Sequence, residues 1–135
     1  MSALSQSLEF VPADSVGNTA TTAVVYPNTA TTTLVYNSYK LQGDGYFGSS
    51  DGLHTVMYVS DMNFVGTITM QATLATAPTD SDWFDVADTG VTYTRLGDTR
   101  TTSSTDIANF TGNFVWVRGV VTIENGSVLY IQYNH

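Results

Sequence analysis

A chain of 135 residues, of which 42% are apolar and 12% aromatic, can bury one hydrophobic core, so we expect one domain over residues 1–135 rather than wholesale disorder. Twelve Asp and Glu against four Lys and Arg give a net charge of -8, which disfavours nucleic acid as a direct ligand. The chain contains no cysteine, which excludes disulfides and thiolate-bound metal.

The N-terminal part of the chain is polar and rich in Thr. Its first ten residues contain no basic segment and no long apolar run, so we predict neither a signal peptide nor a membrane span. A Thr-rich near repeat occupies residues 18–37, and each copy has the pattern of a polar turn followed by a short strand. Two copies are too few for a solenoid, which predicts a duplicated strand segment, with Pro27 at an edge or a connection.

Residues 64–77 have the clearest strand pattern, because apolar and polar side chains alternate there. The pattern predicts a half-buried strand that ends before Pro78. Its expected apolar face consists of Phe64, Ile68, Met70, Ala72 and Leu74, and its polar face of Thr67, Thr69, Gln71 and Thr73.

An acidic segment follows, and we expect the aromatic pair Trp83 and Phe84 within it to close one end of the core. The spacing of its carboxylates does not fit an EF-hand, which favours a solvated loop and leaves open an irregular calcium site. Zinc is disfavoured, since His54 and His135 are the only possible nitrogen ligands. The carboxylates considered for calcium are Asp80, Asp82, Asp85 and Asp88, with Asp44 and Asp51 as a second group.

The C-terminal third begins with a short predicted strand at residues 91–96 and an exposed polar loop at 100–106. Two apolar runs, 114–123 and 128–133, then flank Asn125–Gly126, a pair typical of a two-residue hairpin turn. The predicted register places Ile123 opposite Val128 and Val120 opposite Ile131. Because both faces of such a ribbon would be apolar, we expect a loop or a neighbouring subunit to cover one of them.

Short strands separated by turn residues, without intervening helices, predict an all-β fold and an antiparallel β-sandwich. A jelly roll is one topology that fits this pattern, although the strand order is open from the sequence alone.

A possible nucleophile lies in residues 48–52, which match the pattern G-x-S-x-G, with Ser50 and His135 in the chain order of a hydrolase triad. That motif needs a strand before it and a helix after it, whereas these residues have the composition of consecutive turns. We therefore predict no catalytic residue, no cofactor and no bound metal.

Aromatic residues are the stronger candidates for contacts with other molecules. Packing or subunit contact is the favoured role, and carbohydrate contact is the alternative. The candidate assembly or ligand contacts are Tyr46, Phe47, Trp83, Phe84, Tyr130 and Tyr133.

Four segments carry a resemblance to a known group of proteins: residues 70–78, 82–86, 112–119 and 130–135. Through them the chain from Gly43 to His135 resembles small virion structural proteins of tailed bacteriophages, especially T4-like phages of marine cyanobacteria. The resemblance implies a β-rich particle component and carries over no catalytic residue.

Together these features predict a non-enzymatic virion structural protein that acts in capsid decoration, the neck, the tail or a fibre. It would be made in the host cytoplasm, reside in the virion, form a homo-oligomer and bind other virion proteins, with no direct contact to nucleic acid or membrane. The alternative is a receptor-binding or lectin-like module whose loops at 43–52 and 80–88 contact a host-surface glycan.

Overall fold

A computed structural model of the chain describes residues 6–11, 20–26, 31–47, 52–94 and 103–134. Its helical segments are two short 3-10 turns, Asp44–Phe47 and Asp80–Asp82, and no described helix has the length and apolar character needed to cross a membrane. The strands are β1 (Gln6–Ser7), β2 (Phe10–Val11), β3 (Val24–Val25), β4 (Leu34–Ser38), β5 (Leu41–Gln42), β6 (Leu53–Ser60), β7 (Val65–Thr73), β8 (Phe84–Asp85), β9 (Val91–Tyr93), β10 (Ser104–Thr111), β11 (Trp116–Asn125) and β12 (Ser127–Asn134).

These strands form two antiparallel sheets. The five-stranded sheet has the order β1-β12-β6-β10, with β3 also paired to β12. The seven-stranded sheet has the order β2-β4-β11-β7-β8, with β5 beside β11 and β9 beside β7. The prediction of an all-β antiparallel sandwich is confirmed.

Successive long strands alternate between the two sheets. Of the strands with eight residues or more, β6, β10 and β12 lie in the five-stranded sheet, and β7 and β11 lie in the seven-stranded sheet. Each connection between them therefore crosses from one sheet to the other. This alternation and the observed neighbour order are those of a jelly roll.

The core fills the space between the sheets. Both sheets supply fully buried side chains, among them Phe10, Ile68 and Val117 from one sheet and Val56 and Ile131 from the other. Removal of these apolar side chains from water is the main contribution that stabilises the packing of one sheet on the other.

The predicted C-terminal hairpin is wrong, because β11 and β12 are not paired with each other. β11 pairs with β4, β5 and β7, whereas β12 pairs with β1, β3 and β6. Asn125 and Gly126 form the corner where the chain leaves one sheet and enters the other. The inner faces of the two strands are therefore on opposite walls of the core, and a local turn signal cannot distinguish this corner from a hairpin.

In this arrangement the apolar faces of β11 and β12 need no partner subunit or loop to cover them. Val121 and Ile123 of β11, and Val128 and Ile131 of β12, are buried in the chain's own core. A register shift between Val128 and Tyr130 makes Leu129 an extra residue of β12. The bulge turns both Val128 and Ile131 inward, although they are three positions apart, and leaves Leu129 39% exposed.

Strand β7 confirms the alternating pattern, with a correction at its end. Ile68, Met70 and Ala72 are fully buried, as is Phe64 just before the strand. Leu74 is 66% exposed, because the strand ends at Thr73 and the alternation ends with it.

Two other segments differ from expectation. Residues 104–106 belong to β10, where Ser104 is opposite Ser60 of β6, so the loop predicted for 100–106 is wrong at that end. Polar residues occur in this part of β10 because alternate side chains of the strand point to the exposed face of the sheet. The two copies of the Thr-rich repeat contribute β3 and β4, which lie in different sheets, while Pro27 lies outside the described residues.

Candidate functional site

The outer side of the seven-stranded sheet carries both tryptophans of the chain. Trp116 and Arg118 alternate along β11 with Val117 and Gly119, which face the core. Gly119 leaves room for Leu8, which lies between β1 and β2, because a Cβ there would lie 2.6 Å from Leu8 Cδ2. Trp116 and Arg118 therefore point away from the core, two residues apart on one face.

Arg118 joins Trp83 to the middle of this sheet. Its guanidinium carbon lies 4.4 Å from the centre of the Trp83 ring, and its Nε donates a hydrogen bond of 2.9 Å to Gln71 Oε1. Gln71 Nε2 in turn donates to Asp85 Oδ1 at 2.9 Å, so three neighbouring strands contribute to one row. Partial burial lowers the pKa of Arg118 from its usual value and the charge of Asp80 opposes this, but the guanidinium is charged at neutral pH.

Trp116 is held from three sides. Its indole Nε1 donates a hydrogen bond of 2.9 Å to the Thr76 carbonyl oxygen. Lys40 Nζ lies 4.8 Å from the ring centre, and the Tyr46 ring is 5.1 Å away at an interplanar angle of 56°. Trp83 and Trp116 are each half-buried, so part of each ring is exposed at a fixed orientation. We call this surface, consisting of Trp83, Trp116, Arg118, Gln71, Asp85, Lys40 and Tyr46, the tryptophan face.

Two of the aromatic residues singled out in the sequence, Tyr46 and Trp83, lie on this face, and Phe84 follows Trp83 on the inner side of the sheet. Tyr46 is 47% exposed and contacts Trp116, and Trp83 lies over Arg118. Phe84 is 44% exposed at the sheet edge, where its ring meets Phe114 edge-on at 5.7 Å. The expectation that Trp83 and Phe84 close an end of the core is wrong for Trp83, which lies over Arg118 on the outer side. Phe84 is opposite the buried Ala72, on the inner side of the sheet, and its contact Phe114 packs against the core.

The other three are separate. Tyr130 is 36% exposed on the outer side of the five-stranded sheet. Tyr133 is 1% exposed, which corrects its assignment as a contact residue, and burial raises its pKa well above the usual value. The two differ because three positions along a strand place side chains on opposite faces. Phe47 ends the first 3-10 turn, and its side chain lies outside the described residues.

Sequence reasoning missed Trp116, Arg118 and Lys40 as site residues. A signal was present for the first two, since Trp116 and Arg118 alternate with apolar or small residues and must leave the core together. Lys40 carried no signal, because its position over Trp116 depends on the pairing of β5 with β11.

His54 belongs to the core. It is fully buried, and its ring stacks on Phe110 at 4.7 Å with an interplanar angle of 2°. The Asp44 backbone N–H donates a hydrogen bond of 3.5 Å to His54 Nε2, and Asp44 is itself buried. Together with Tyr133, whose ring centre is 5.8 Å from that of His54, these residues form an aromatic layer at one end of the sandwich.

The acidic segment is partly organised by its own hydrogen bonds. Asp82 Oδ2 accepts a bond of 2.7 Å from the Thr79 backbone N–H, which caps the second 3-10 turn, and Asp85 accepts from Gln71. Across the described ranges, no three His, Asp or Glu side chains are grouped so that they could hold a metal ion. Asp51, Ser50 and His135 lie outside those ranges, and β6, a strand rather than a helix, begins at Leu53.

No family model matches the chain. No curated protein matches it either. Among solved structures, it is similar to the C-terminal CBM6 of LamC, a marine laminarinase from Zobellia galactanivorans, with a TM-score of 0.46 and 12% identity over 98% of this chain and 92% of that chain.

Proposed function

We propose that the chain is a non-catalytic carbohydrate-binding module and that the tryptophan face is its binding surface. The observation that carries this proposal is the convergence of both tryptophans of the chain on one exposed sheet face, beside hydrogen-bonding side chains. The C–H groups of a sugar ring pack against an aromatic ring, while its hydroxyls need donors and acceptors at the rim.

The polar groups of the face suit that chemistry. Arg118 uses Nε to bond Gln71, which leaves its terminal N–H groups to donate to hydroxyls, and Lys40 brings further donors next to Trp116. Asp85 supplies an acceptor at the opposite end of the row. Because Arg118 and Lys40 also hold the two indoles in place, little side-chain entropy is lost when a ligand binds.

Glycan-array screening followed by titration calorimetry tests the proposal, and tryptophan fluorescence gives a second measurement because both indoles lie at the site. We expect W116A and W83A each to weaken binding at least about tenfold, which corresponds to about 1.4 kcal/mol. Y130A removes an exposed aromatic side chain from the other sheet and serves as the matched control, with unchanged affinity.

Unfolding curves for each variant separate lost binding from lost structure, and W116F provides a milder change if W116A is unstable. Wild-type affinity in W116F, W116A and W83A, or the absence of any binding glycan, would contradict the proposal.

A second candidate function is assembly with further copies of the chain, as expected for a virion component, and the outer side of the five-stranded sheet favours it. The outward side chains of β6, β10 and β12 carry no charge in the described part of the chain, although the net charge is -8. Ile107 is 65% exposed there, beside Met57, and Tyr130 lies next to Val59. An uncharged sheet face with exposed apolar side chains is typical of a contact surface. Light scattering on the chain and on I107D tests this role.

A further inference from the structure

A pocket of about 550 Å³ lies at the end of the sandwich where β11 passes into β12. Its walls include Tyr26, Thr32, Thr33, Val65, Thr94 and Glu124. Ligand sites in proteins commonly have volumes of roughly 300 to 1,000 Å³, so this pocket is large enough for a small organic molecule. Glu124 is eight residues from Trp116 on one extended strand, roughly 26 Å away, so the pocket is separate from the tryptophan face.

A β-bulge in β11 positions the Glu124 carboxylate at the rim of this pocket. Ile123 is opposite Gly66 and Asn125 is opposite Val65, so Glu124 is the extra residue between them. Bulges redirect a side chain without ending the strand, and they are common beside binding sites. Glu124 is exposed although its strand is central in the sheet, and it is on the same rim as Val65.

The threonine wall of the pocket is fixed by Tyr26. The Tyr26 hydroxyl donates a hydrogen bond of 2.7 Å to the Thr32 carbonyl oxygen, and the Tyr26 backbone N–H donates one of 3.1 Å to the Gly126 carbonyl oxygen. Tyr26 therefore ties the second Thr-rich segment to the corner between β11 and β12. These two hydrogen bonds hold one wall of the pocket in place, which lowers the entropy cost of binding.

From these contacts we propose that the pocket binds a neutral mono- or disaccharide. Threonine hydroxyls both donate and accept, as sugar hydroxyls do, and the Glu124 carboxylate accepts strongly from a sugar O–H. Tyr26 and Val65 supply apolar surface for the C–H side of a sugar ring. The carboxylate disfavours a phosphate or another anion, and one carboxylate among neutral hydroxyls is a poor cage for a divalent cation.

This pocket uses none of the residues of the tryptophan face, so the two proposals can fail independently. The experiment is a titration of the isotope-labelled chain with neutral mono- and disaccharides, followed by NMR of the backbone amides, with a chelator present to exclude metal binding. We expect shift changes at Tyr26, Thr33, Thr94 and Glu124, with saturation at a single site.

Two variants test the assigned roles. E124Q keeps the shape of the side chain but removes its charge, and we expect about five- to tenfold weaker binding because a charge-assisted hydrogen bond becomes a neutral one. T33V removes one hydroxyl from the wall and should also weaken binding. E9Q makes the same charge change at an exposed position outside the pocket and should bind as the wild type does.

Shift changes confined to the surroundings of Trp83 and Trp116 would overturn the inference while leaving the proposed function intact. Absence of any shift change, or equal binding by E124Q, T33V and the wild type, would overturn it as well. Pocket shifts that persist in W116A would support it, even if the tryptophan face bound no glycan.

Discussion

At the scale of single residues, the buried Thr89 connects three parts of the fold through its hydroxyl and its carbonyl oxygen. Its hydroxyl donates to the Val86 carbonyl oxygen at 2.7 Å and accepts from the Met70 backbone N–H at 3.2 Å. Its carbonyl oxygen accepts a bond of 2.8 Å from the Tyr58 hydroxyl, which reaches across from the other sheet. Burial raises the pKa of Tyr58 well above its usual value, so this hydroxyl stays a donor throughout the neutral range.

We therefore expect T89V to destabilise the protein by about 1 to 3 kcal/mol, because it leaves a buried N–H and a buried carbonyl oxygen without their partner. T105V makes the same change at an exposed position of β10, where we expect an effect within about 0.5 kcal/mol. Urea unfolding of both variants measures the difference. Equal free energies of unfolding for the two would show that the Thr89 hydrogen bonds contribute no net stability.

At the scale of elements, the corner between β11 and β12 depends on Gly126. Its φ of 73° lies in the left-handed region, and a Cβ there would come within 2.4 Å of the Asn63 carbonyl carbon. Asn63 also accepts a hydrogen bond of 3.0 Å from Asn125 Nδ2, so the β6–β7 connection packs closely on this corner. The β6–β7 connection and the β11–β12 corner, which both cross between the sheets, therefore lie at the same end of the molecule.

Replacing Gly126 by Ala should cost about 2 kcal/mol or more, since both the backbone conformation and the contact with Asn63 must change. G90A is the matched control, because a Cβ at Gly90 meets nothing closer than 3.6 Å and its φ is not positive. We expect G90A to be neutral or to stabilise by about 0.4 to 1 kcal/mol. Thermal unfolding ranks the variants, and a G126A midpoint at or above that of G90A would contradict the corner described here.

At the scale of the whole molecule, the two sides of the five-stranded sheet have opposite roles. Ile131 is fully buried between the sheets, whereas Ile107 is 65% exposed on the uncharged outer side. The same substitution at the two positions therefore separates folding from association.

We expect I131D to abolish the folded state, since an unpaired buried carboxylate costs several kcal/mol of a total stability of about 5 to 15 kcal/mol. I107D should remain folded and lower the mass measured by light scattering in a dilution series, because it places a charge in the proposed contact between copies. Circular dichroism checks folding in both variants. A folded I131D would contradict the sandwich core, and a monomeric wild type at all concentrations would contradict the assembly role.

Local patterns in the sequence determined the class of fold and the faces of individual strands. The alternation through Ile68, Met70 and Ala72 identifies the buried face of β7, because the two-residue period of a strand is a local property. The Asn125–Gly126 signal also locates a reversal of the chain correctly, since it reports backbone conformation at Gly126. For the candidate site, the sequence named Tyr46 and Trp83 among possible assembly or ligand contacts and placed Gln71 on a polar face, but it also assigned Trp83 to an end of the core.

Only the tertiary structure decided which strands are neighbours. β11 pairs along most of its length with β7, and β12 pairs with β6, so the apolar side chains of the two strands reach the core from different sheets. The tryptophan face follows from that choice, since Arg118 meets Gln71 and Trp83 only when β7 lies between β11 and β8. Strand pairing depends on the total buried area and hydrogen bonding between segments that are distant in sequence. A local sequence pattern therefore does not determine which strands become neighbours.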